Sequence, residues 1–368
     1  MNSPQTYVES ERLNLESDVE ASISHELRTP LTSIQGALGL LLTGKLPLDT
    51  PQAQQLLSIA TKNTSRLLRL THAIEQDKET SVSLISAQTL AQFRLEADLY
   101  NAWHNQTLQL YYQPIIALES DPSTHFIHQR LVGVEGLLRW FHPDLGCISP
   151  TEFIPLAEKT GLIHELGVWG IETACRQLAQ WQQVSQTPLF LSMNLSPSQL
   201  LRPELSQQVI QICDKTGIAP SHLQMEITES LLLENSQVVM KTLEQLKQLG
   251  IGIYLDDFGT GYSSLARLND LAVDVLKIDR SFVAQTQWRM IEGILQLAKS
   301  LGLKTIIEGI ETKAELQQVQ SIGGSWVQGY YYSRPLPHEA MTLYCRDFSQ
   351  THKAITRYCR DFSQCISQ

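Results

Sequence analysis

Polar side chains stand where short apolar, β-rich runs of this sequence end. From Asn194 to Gln328 the main positions are 32, 30, 21, 31 and 20 residues apart, about one strand and one helix each time. In a barrel of parallel strands, all of them would emerge at the carboxyl-terminal rim, where such folds build their active sites. The residues are Glu135, Asn194, Glu226 with Glu229, Asp256 with Asp257, Lys277 with Asp279, Glu308 and Gln328.

This set of residues predicts metal-dependent phosphoryl chemistry. So many carboxylates cannot share one rim without a cation, because their mutual repulsion would force protonation. Oxygen ligands suit hard divalent ions such as Mg²⁺ or Mn²⁺. Two such ions about 4 Å apart would activate a water and hold a phosphoryl oxygen. Lys277 would then be the cation that faces the substrate or the attacking water.

The elements that would position these residues begin after Leu108, where β-rich runs alternate with helical runs. Eight candidate strands in about 240 residues favour a (β/α)₈ TIM-type barrel over a doubly wound sheet, and both are α/β folds. The candidate strands are Leu110–Ala117, Leu131–Leu137, Leu189–Asn194, Leu223–Thr228, Gly252–Asp256, Val273–Ile278, Lys304–Glu308 and Trp326–Tyr331.

The residues before the barrel have a helical pattern instead. Two apolar stripes with spacings of three and four are separated by a turn containing Gly44 and Pro47, and Thr50 followed by Pro51 predicts the start of the second helix. A lone helical hairpin cannot cover both stripes. We therefore expect an all-α hairpin that pairs with a second copy as a four-helix bundle, in a homodimer. The stripes are Val19, Ile23, Leu27, Leu31, Ile34, Leu38 and Leu41, then Leu56, Ile59, Leu67, Leu70 and Ile74.

Composition excludes some classes of function. The 368 residues carry a net charge of −10 with no basic tail or patch, so binding to nucleic acid is not expected. No apolar run is long enough to span a bilayer, and no membrane association is expected. The six cysteines form no Cys-x-x-Cys pair and predict reduced thiols in a cytoplasmic protein.

Several motifs in the barrel resemble the EAL-domain family of cyclic-di-GMP phosphodiesterases, in order over about 240 residues. The resemblance implies hydrolysis of cyclic di-GMP to linear 5′-pGpG with two Mg²⁺ or Mn²⁺ ions per barrel. The motifs are YYQPI at 111–115, EGLLRW at 135–140, NLS at 194–196, EITES at 226–230, DDFGTGYSSL at 256–265, KIDRSF at 277–282, EGIET at 308–312 and QGYYYSRP at 328–335.

The same resemblance implies a role for each matching residue. The implied metal ligands are Glu135, Asn194, Glu226 and Asp256, with Asp257 for the second metal and Glu308 for a metal-bound water. Lys277 matches the lysine that contacts the nucleophilic water, so that Glu135, Asp257, Lys277 and Glu308 form the implied catalytic set. The implied substrate contacts are Gln113, Arg139 and Gln328, and the implied loop-stabilising residues are Glu229 and Asp279.

Two features depart from the family pattern. The signature triplet is Glu135-Gly136-Leu137, with glycine in place of alanine, and little chemical effect is expected from that change. The segment from Ala284 to Trp288 is shorter than usual, which puts in doubt the surface after the sixth strand, a region that contributes to dimer contacts in the family.

The first helix contains SHELRTPLTSI at 24–34, which resembles the phosphoacceptor box of the dimerisation domain of histidine kinases (HisKA). The resemblance implies phosphorylation of His25, with Glu26 assisting proton transfer and Thr29 orienting water. No ATP-binding domain follows, so the chain is not expected to be a complete histidine kinase. A partner histidine kinase or response regulator would exchange phosphate with His25.

We therefore expect a HisKA-like hairpin at 1–79, a helical linker at 80–107, an EAL barrel at 108–348 and a tail at 349–368. Two alternatives stay open for the barrel and the hairpin: a catalytically silent cyclic-di-GMP receptor, or a phosphorelay component. A repeated YCRDFSQ, at 344–350 and 358–364, is interpreted as a short duplication in a surface tail.

Overall fold

The computed structural model describes residues 27–42, 47, 50–77, 87–120, 127–185, 187–229, 231, 236–260 and 273–348. The chain divides into two compact units between Asn101 and Ala102. Within the described part, no helix is long and apolar enough to cross a bilayer.

The first unit is helical, as the sequence predicts. Helix α1 spans residues 27–42, α2 spans Pro51–Asp77, and α3, Ala87–His104, extends across the boundary between the units. Thr50 caps α2: its hydroxyl oxygen accepts a hydrogen bond from the backbone N–H of Ala53 at 3.3 Å.

Polar contacts of two arginines join α2 to α3. Arg69 Nη2 lies 3.6 Å from a carboxylate oxygen of Glu96, whose side chain is 2% exposed, and Arg66 donates to the carbonyl of Phe93 at 3.5 Å. Several large apolar side chains of α1 and α2 are exposed, and two of them, Leu31 and Leu38, belong to the predicted stripe of the first helix. They are Leu31, Leu38, Leu40, Leu42, Leu57 and Leu68.

The second unit is a closed eight-stranded barrel. The strands follow one another around it in the order β1-β9-β8-β7-β6-β5-β4-β2, β1 also pairs with β2 to close the ring, and β3 lies outside it on β2. The strands are β1 Leu108–Ser120, β2 Ile127–His142, β3 Gly146–Ile148, β4 Phe190–Asn194, β5 Leu223–Thr228, β6 Gly252–Phe258, β7 Val275–Ile278, β8 Lys304–Ile307 and β9 Trp326–Val327.

Strand β1 runs antiparallel to both of its neighbours, whereas the other seven barrel strands are parallel. The eight candidate strands are therefore confirmed, and the barrel is a mixed version of the TIM-type fold. The physical reason is the connection between β1 and β2. A parallel crossover takes a dozen or more residues, usually including a helix, and only residues 121–126 separate these two strands.

Helices cover the outside of the barrel between most strands, and an apolar layer fills its interior beneath the carboxyl-terminal rim. This layer consists of Ile115, Ala117, Val132, Tyr254, Val275 and Ile306. The barrel is therefore a packed support rather than a channel. The helices are α4 Pro150–Thr160, α5 Ile163–Val184, α6 Pro197–Leu200, α7 Leu205–Thr216, α8 Gln237–Gln248, α9 Arg280–Ala284, α10 Trp288–Ser300, α11 Lys313–Ser321 and α12 His338–Asp347.

Candidate active site

A buried lysine is the centre of the polar cluster at the carboxyl ends of the strands. The side chain of Lys277, near the end of β7, is 1% exposed. Its Nζ lies within ion-pair distance of four carboxylates, which come from four different strands or strand ends. The distances are 2.6 Å to Glu226 Oε2, 2.7 Å to Glu308 Oε1, 3.1 Å to Asp256 Oδ1 and 3.4 Å to Glu135 Oε2.

Glu135 is fixed by hydrogen bonds from both sides. Asn194 Nδ2 donates to Oε1 at 2.8 Å, and Gln328 Nε2 donates to Oε2 at 2.7 Å. The same Gln328 nitrogen lies 3.0 Å from Gln113 Oε1, and Gln113 in turn donates to the carbonyl of Ser333 at 3.2 Å. Antiparallel β1 makes this possible, because its register places Gln113 directly opposite Glu135 on β2.

The cluster perturbs its own protonation. Burial alone would lower the pKa of Lys277, but the surrounding carboxylates outweigh it and raise that pKa well above its ordinary value. Burial also raises the pKa of Glu226, with help from Glu135, and the pKa of Glu308 to about 8. For Glu135, Lys277 and the hydrogen bonds from Gln328 and Asn194 outweigh burial and lower the pKa. Lys277 is therefore an ammonium that donates hydrogen bonds and cannot act as a base.

The donor set of this cluster fits divalent cations. The raised pKa values of Glu226 and Glu308 show that one ammonium does not balance the four carboxylates around it. Ionisation of all four would leave an excess of three negative charges in a buried space, and divalent cations would offset that excess. Asp256 Oδ1 is buried and accepts no hydrogen bond from any described residue, although it lies 3.1 Å from Lys277 Nζ. Among the described residues, no three His, Cys, Asp or Glu side chains are arranged to hold a metal ion. The Lys277 ammonium lies between the carboxylates instead.

Two predicted site residues lie at the rim rather than in the cluster. Arg139 shares the inward face of β2 with Glu135, four residues earlier, and donates to the carbonyl of Leu138 at 2.8 Å. Burial lowers the pKa of this guanidinium. Asp257 lies at the exposed rim in a left-handed backbone conformation (φ 55°). Partial desolvation by the surrounding protein, then the charges of Asp256 and Asp279, raise the pKa of its carboxyl.

The loop after Asp257 is tied down by a buried carboxylate. Glu229 Oε2 accepts from the backbone N–H of Gly259 at 2.8 Å. Gly259 has a φ of 96°, and a Cβ there would lie 2.6 Å from the ring of Phe282, so only glycine fits without a shift. Asp279 caps α9 by accepting from the N–H of Ser281 at 3.0 Å. Residues 261–272, which include the rest of the DDFGTGYSSL motif, lie outside the described part.

Replacement of Glu229 by alanine is expected to lower kcat for the barrel's reaction by about 100-fold, because Asp257 would lose its fixed position. The Glu229→Gln variant keeps an acceptor oxygen for the Gly259 N–H and should retain most of the activity. Steady-state kinetics and thermal unfolding of both variants check this. An equal loss in the two variants would show that the charge, and not the anchoring of the loop, is what matters.

Sequence reasoning missed one buried partner of the cluster. Ser192 on β4 is fully buried, and its hydroxyl donates a short hydrogen bond to Glu226 Oε1. The signal was available, because Ser192 lies two residues before Asn194 and shares its face of the strand. The glycine of the signature triplet also has a structural partner: a Cβ on Gly136 would lie 2.5 Å from the sulfur of Met193, which fills that space.

A further glycine lets the segment after β9, which carries Gln328, pass close to the segment after β8. A Cβ on Gly329 would lie 2.2 Å from the carbonyl oxygen of Ile310, and the backbone of Ile310 is fixed by hydrogen bonds with Gln328 and Tyr331.

Gly329→Ala is therefore expected to destabilise the barrel by about 3 kcal/mol, a fall in Tm of roughly 5–10 °C in a thermal unfolding experiment. Gly293→Ala is the matched control, because Gly293 lies in α10 with open space where its Cβ would go. Unchanged stability of Gly329→Ala would mean that the two backbones separate without cost.

Of the residues in the HisKA-like box, His25 and Glu26 lie outside the described residues. Thr29 is in α1 with an exposed side chain, and its carbonyl accepts a hydrogen bond from Ser33 Oγ at 3.1 Å.

The closed mixed α/β barrel, with its acidic cluster and lysine at the carboxyl-terminal rim, defines a TIM-type α/β-barrel domain. Residues 96–335 match the EAL domain, and the chain belongs to the EAL domain family. Residues 16–78 match the His Kinase A (phospho-acceptor) domain.

Known relatives share the barrel. The chain is 37% identical over 264 residues to the bifunctional diguanylate cyclase/cyclic di-GMP phosphodiesterase MucR of Pseudomonas aeruginosa. The aligned residues cover 70% of this chain and 37% of MucR. The chain is 34% identical over 308 residues to the cyclic di-GMP phosphodiesterase NbdA of the same organism, covering 82% of this chain and 38% of NbdA. The chain thus spans less than two fifths of the length of either relative.

Among solved structures, the PaMucR phosphodiesterase in complex with c-di-GMP superposes with a TM-score of 0.62 at 38% identity, covering 67% of this chain and 99% of that one. The EAL enzyme Bd1971 in its cAMP- and cyclic-di-GMP-bound form gives a TM-score of 0.65 at 27% identity, covering 80% of both chains.

Proposed function

We propose that the barrel hydrolyses cyclic di-GMP to linear 5′-pGpG. The observation that carries this proposal is the buried Lys277 ammonium among four carboxylates at the rim of an EAL-family barrel. The names of MucR and NbdA and the c-di-GMP complex of PaMucR support the choice of substrate.

Divalent cations, Mg²⁺ or Mn²⁺, would be held by the oxygen atoms of the cluster and of Asp257 at the rim beside it, and would supply charge neutralisation and an acidified water. The proposed ligands are Glu135, Asn194, Glu226, Asp256, Asp257 and Glu308. Bound cations also explain how an acidic protein accepts an anionic dinucleotide, since their charge dominates the local field.

The remaining residues have roles that follow from their chemistry. In the reaction, water attacks one phosphorus, the bond from that phosphorus to the 3′ oxygen breaks, and a 5′-phosphate and a 3′-hydroxyl result. Lys277 donates a hydrogen bond to the attacking water and offsets negative charge that develops at the phosphate. Arg139 suits a phosphate oxygen through its fork of donors, and the linked Gln113 and Gln328 hold Glu135 while contacting the substrate.

Turnover of cyclic di-GMP by the purified chain in Mg²⁺, in Mn²⁺ and in EDTA tests the proposal. Linear pGpG in either metal, and none in EDTA, is the expected result. Tight binding of cyclic di-GMP without product in both metals would overturn it in favour of a receptor. Absence of both binding and product would refute the substrate assignment.

We also propose that residues 1–79 form a dimerising hairpin that accepts phosphate on His25 from a partner kinase or response regulator, with 80–107 as its linker to the barrel at 108–348. The HisKA match and the exposed leucines of α1 and α2 support this. Phosphate on His25, or the geometry of the dimer, would then set the activity of a cytoplasmic phosphodiesterase.

Sedimentation of the full chain and of Leu38→Asp tests the dimer: the native chain should sediment as a dimer and the variant as a monomer. His25→Gln, assayed in cells for cyclic-di-GMP turnover, tests the phosphate. If this variant changes neither the activity nor the oligomeric state, the proposed regulation fails, while the barrel chemistry stands untouched.

A further inference from the structure

The last helix of the barrel is repeated in the sequence that follows it. Residues 338–350 read HEAMTLYCRDFSQ, and residues 352–364 read HKAITRYCRDFSQ. Ten of the thirteen positions are identical, the three exceptions being Glu339/Lys353, Met341/Ile355 and Leu343/Arg357. The repeat is thus longer than its shared YCRDFSQ and spans the whole of α12. Residues 349–368 lie outside the described part, so the second copy is compared by its sequence alone.

The first copy fills a groove on the barrel formed by α5 and β1. Its docking face, defined as Ala340, Met341, Tyr344 and Cys345, is between 0% and 8% exposed. These four side chains belong to the main core cluster together with Trp181 of α5 and Tyr112 of β1.

A hydrogen bond at the edge of this face fixes the helix in its groove. Trp181 Nε1 donates to Thr342 Oγ1 at 2.8 Å, and the ring of Trp181 packs edge-on against Tyr112 with 4.7 Å between centroids. The groove therefore recognises a helix with small, aliphatic, aromatic and thiol side chains at i, i+1, i+4 and i+5, and a hydroxyl at i+2.

The second copy carries every one of these features. Its equivalents of the docking face are Ala354, Ile355, Tyr358 and Cys359, with Thr356 at the position of Thr342. The one change on the face, methionine to isoleucine, keeps an apolar side chain of similar volume, the kind of swap that cores tolerate. The other two changes fall on Glu339, which is exposed, and Leu343, which is half-exposed.

We propose that residues 352–364 are a second docking helix for the groove of α12, so that either copy of the same chain can fill it. A short tether favours exchange within one chain, because the 14-residue shift between copies gives a high effective concentration and a small cost of loop closure.

Two of the three differences favour the first copy in the groove. Glu339 places a negative charge in the first turn of the helix, where the helix dipole favours it, whereas Lys353 places a positive charge there. Leu343 is a half-exposed apolar side chain, whereas Arg357 would place a charge at that position. Displacement of the first copy therefore requires damage to its docking face.

Alkylation of the two equivalent thiols by iodoacetamide in the full chain reports which copy is docked. Burial raises the pKa of Cys345 to about 12, so a docked thiol reacts slowly. Tryptic peptides that end at Arg346 and at Arg360 contain different flanking sequences and separate the two sites by mass. In the native chain, Cys359 should react at least about tenfold faster than Cys345.

In the Met341→Asp variant, this order should reverse, with Cys345 reactive and Cys359 protected. The fall in Tm should be less than half of that in the double variant Met341→Asp/Ile355→Asp. Ile355→Asp alone should match the native chain, which makes it the control for the added charge.

Two outcomes would overturn the proposal. Met341→Asp could leave both thiols reactive and melt like the double variant, or fail to fold, which would show that the second copy cannot replace the first. Alternatively, protection of Cys359 in Met341→Asp could disappear on dilution, which would assign the groove to the second copy of another chain.

Discussion

Lys277→Met is expected to lower kcat/KM for cyclic di-GMP by at least about 1,000-fold and to destabilise the barrel. Methionine keeps much of the length of the side chain but removes the cation that lies within 3.4 Å of four carboxylates. Loss of one partner from a buried ion network costs about 3–5 kcal/mol, or a fall in Tm on the order of 10 °C for a domain of this size. Loss of a preorganised charge from the reaction itself accounts for the rate.

Added metal should separate the effect of Lys277→Met on stability from its effect on turnover. Saturating Mg²⁺ should restore much of the stability of Lys277→Met, because divalent cations replace the missing positive charge, but it should not restore turnover. Thermal unfolding in EDTA and in Mg²⁺, alongside the turnover assay, measures both. Lys299→Met removes an exposed lysine at the end of α10 and should change neither quantity. Activity of Lys277→Met within tenfold of the native chain would refute the role of this ammonium.

Glu135→Gln is expected to abolish turnover to a similar degree while leaving the fold largely intact. Both oxygens of Glu135 accept hydrogen bonds, one from Asn194 and the other from Gln328, and Lys277 is 3.4 Å from the second. A glutamine has one acceptor oxygen, so its NH₂ group must face at least one of these donors. The substitution therefore removes a charge and places the new NH₂ group next to a neighbouring donor, so that neither donor has an acceptor there.

Loss of this carboxylate should also weaken metal binding. We expect the Mg²⁺ concentration for half-maximal activity to rise at least about tenfold in whatever activity remains, as measured by titration of the turnover assay with Mg²⁺. Glu152→Gln, in the exposed first turn of α4, is the matched control. An unchanged Mg²⁺ requirement for the residual activity of Glu135→Gln would remove this residue from the proposed ligands.

The sequence predicts most of this barrel because its strands obey a simple rule: short β-rich runs, each followed by a polar residue, with helices between them. The direction of a strand in a sheet is set by its hydrogen-bond partners, which the sequence pattern does not show. The antiparallel direction of β1 was therefore not predicted. The pattern offered one clue. Between Leu110–Ala117 and Leu131–Leu137 there is no helical run to carry a parallel crossover.

The candidate site, too, could be predicted only in part from the sequence. Strand-end position alone placed Glu226, Asp256 and Lys277 at one rim. It did not reveal that Lys277 is buried among the carboxylates rather than facing open space, because depth depends on the neighbouring strands. The contact between Ser192 and Glu226 likewise depends on the pairing of β4 with β5.

The reversed direction of β1 also decides where the polypeptide enters the barrel. Leu108, the first residue of β1, pairs with Trp140 beyond Glu135 on β2, so the chain arrives at the rim that bears the carboxylates. In an all-parallel barrel, the first strand would begin at the opposite mouth. Gln113, which contacts Gln328, lies only five positions after Leu108 in the chain. A force transmitted along the backbone into β1 would therefore act first at the rim that bears the carboxylates, and only then on the rest of the barrel.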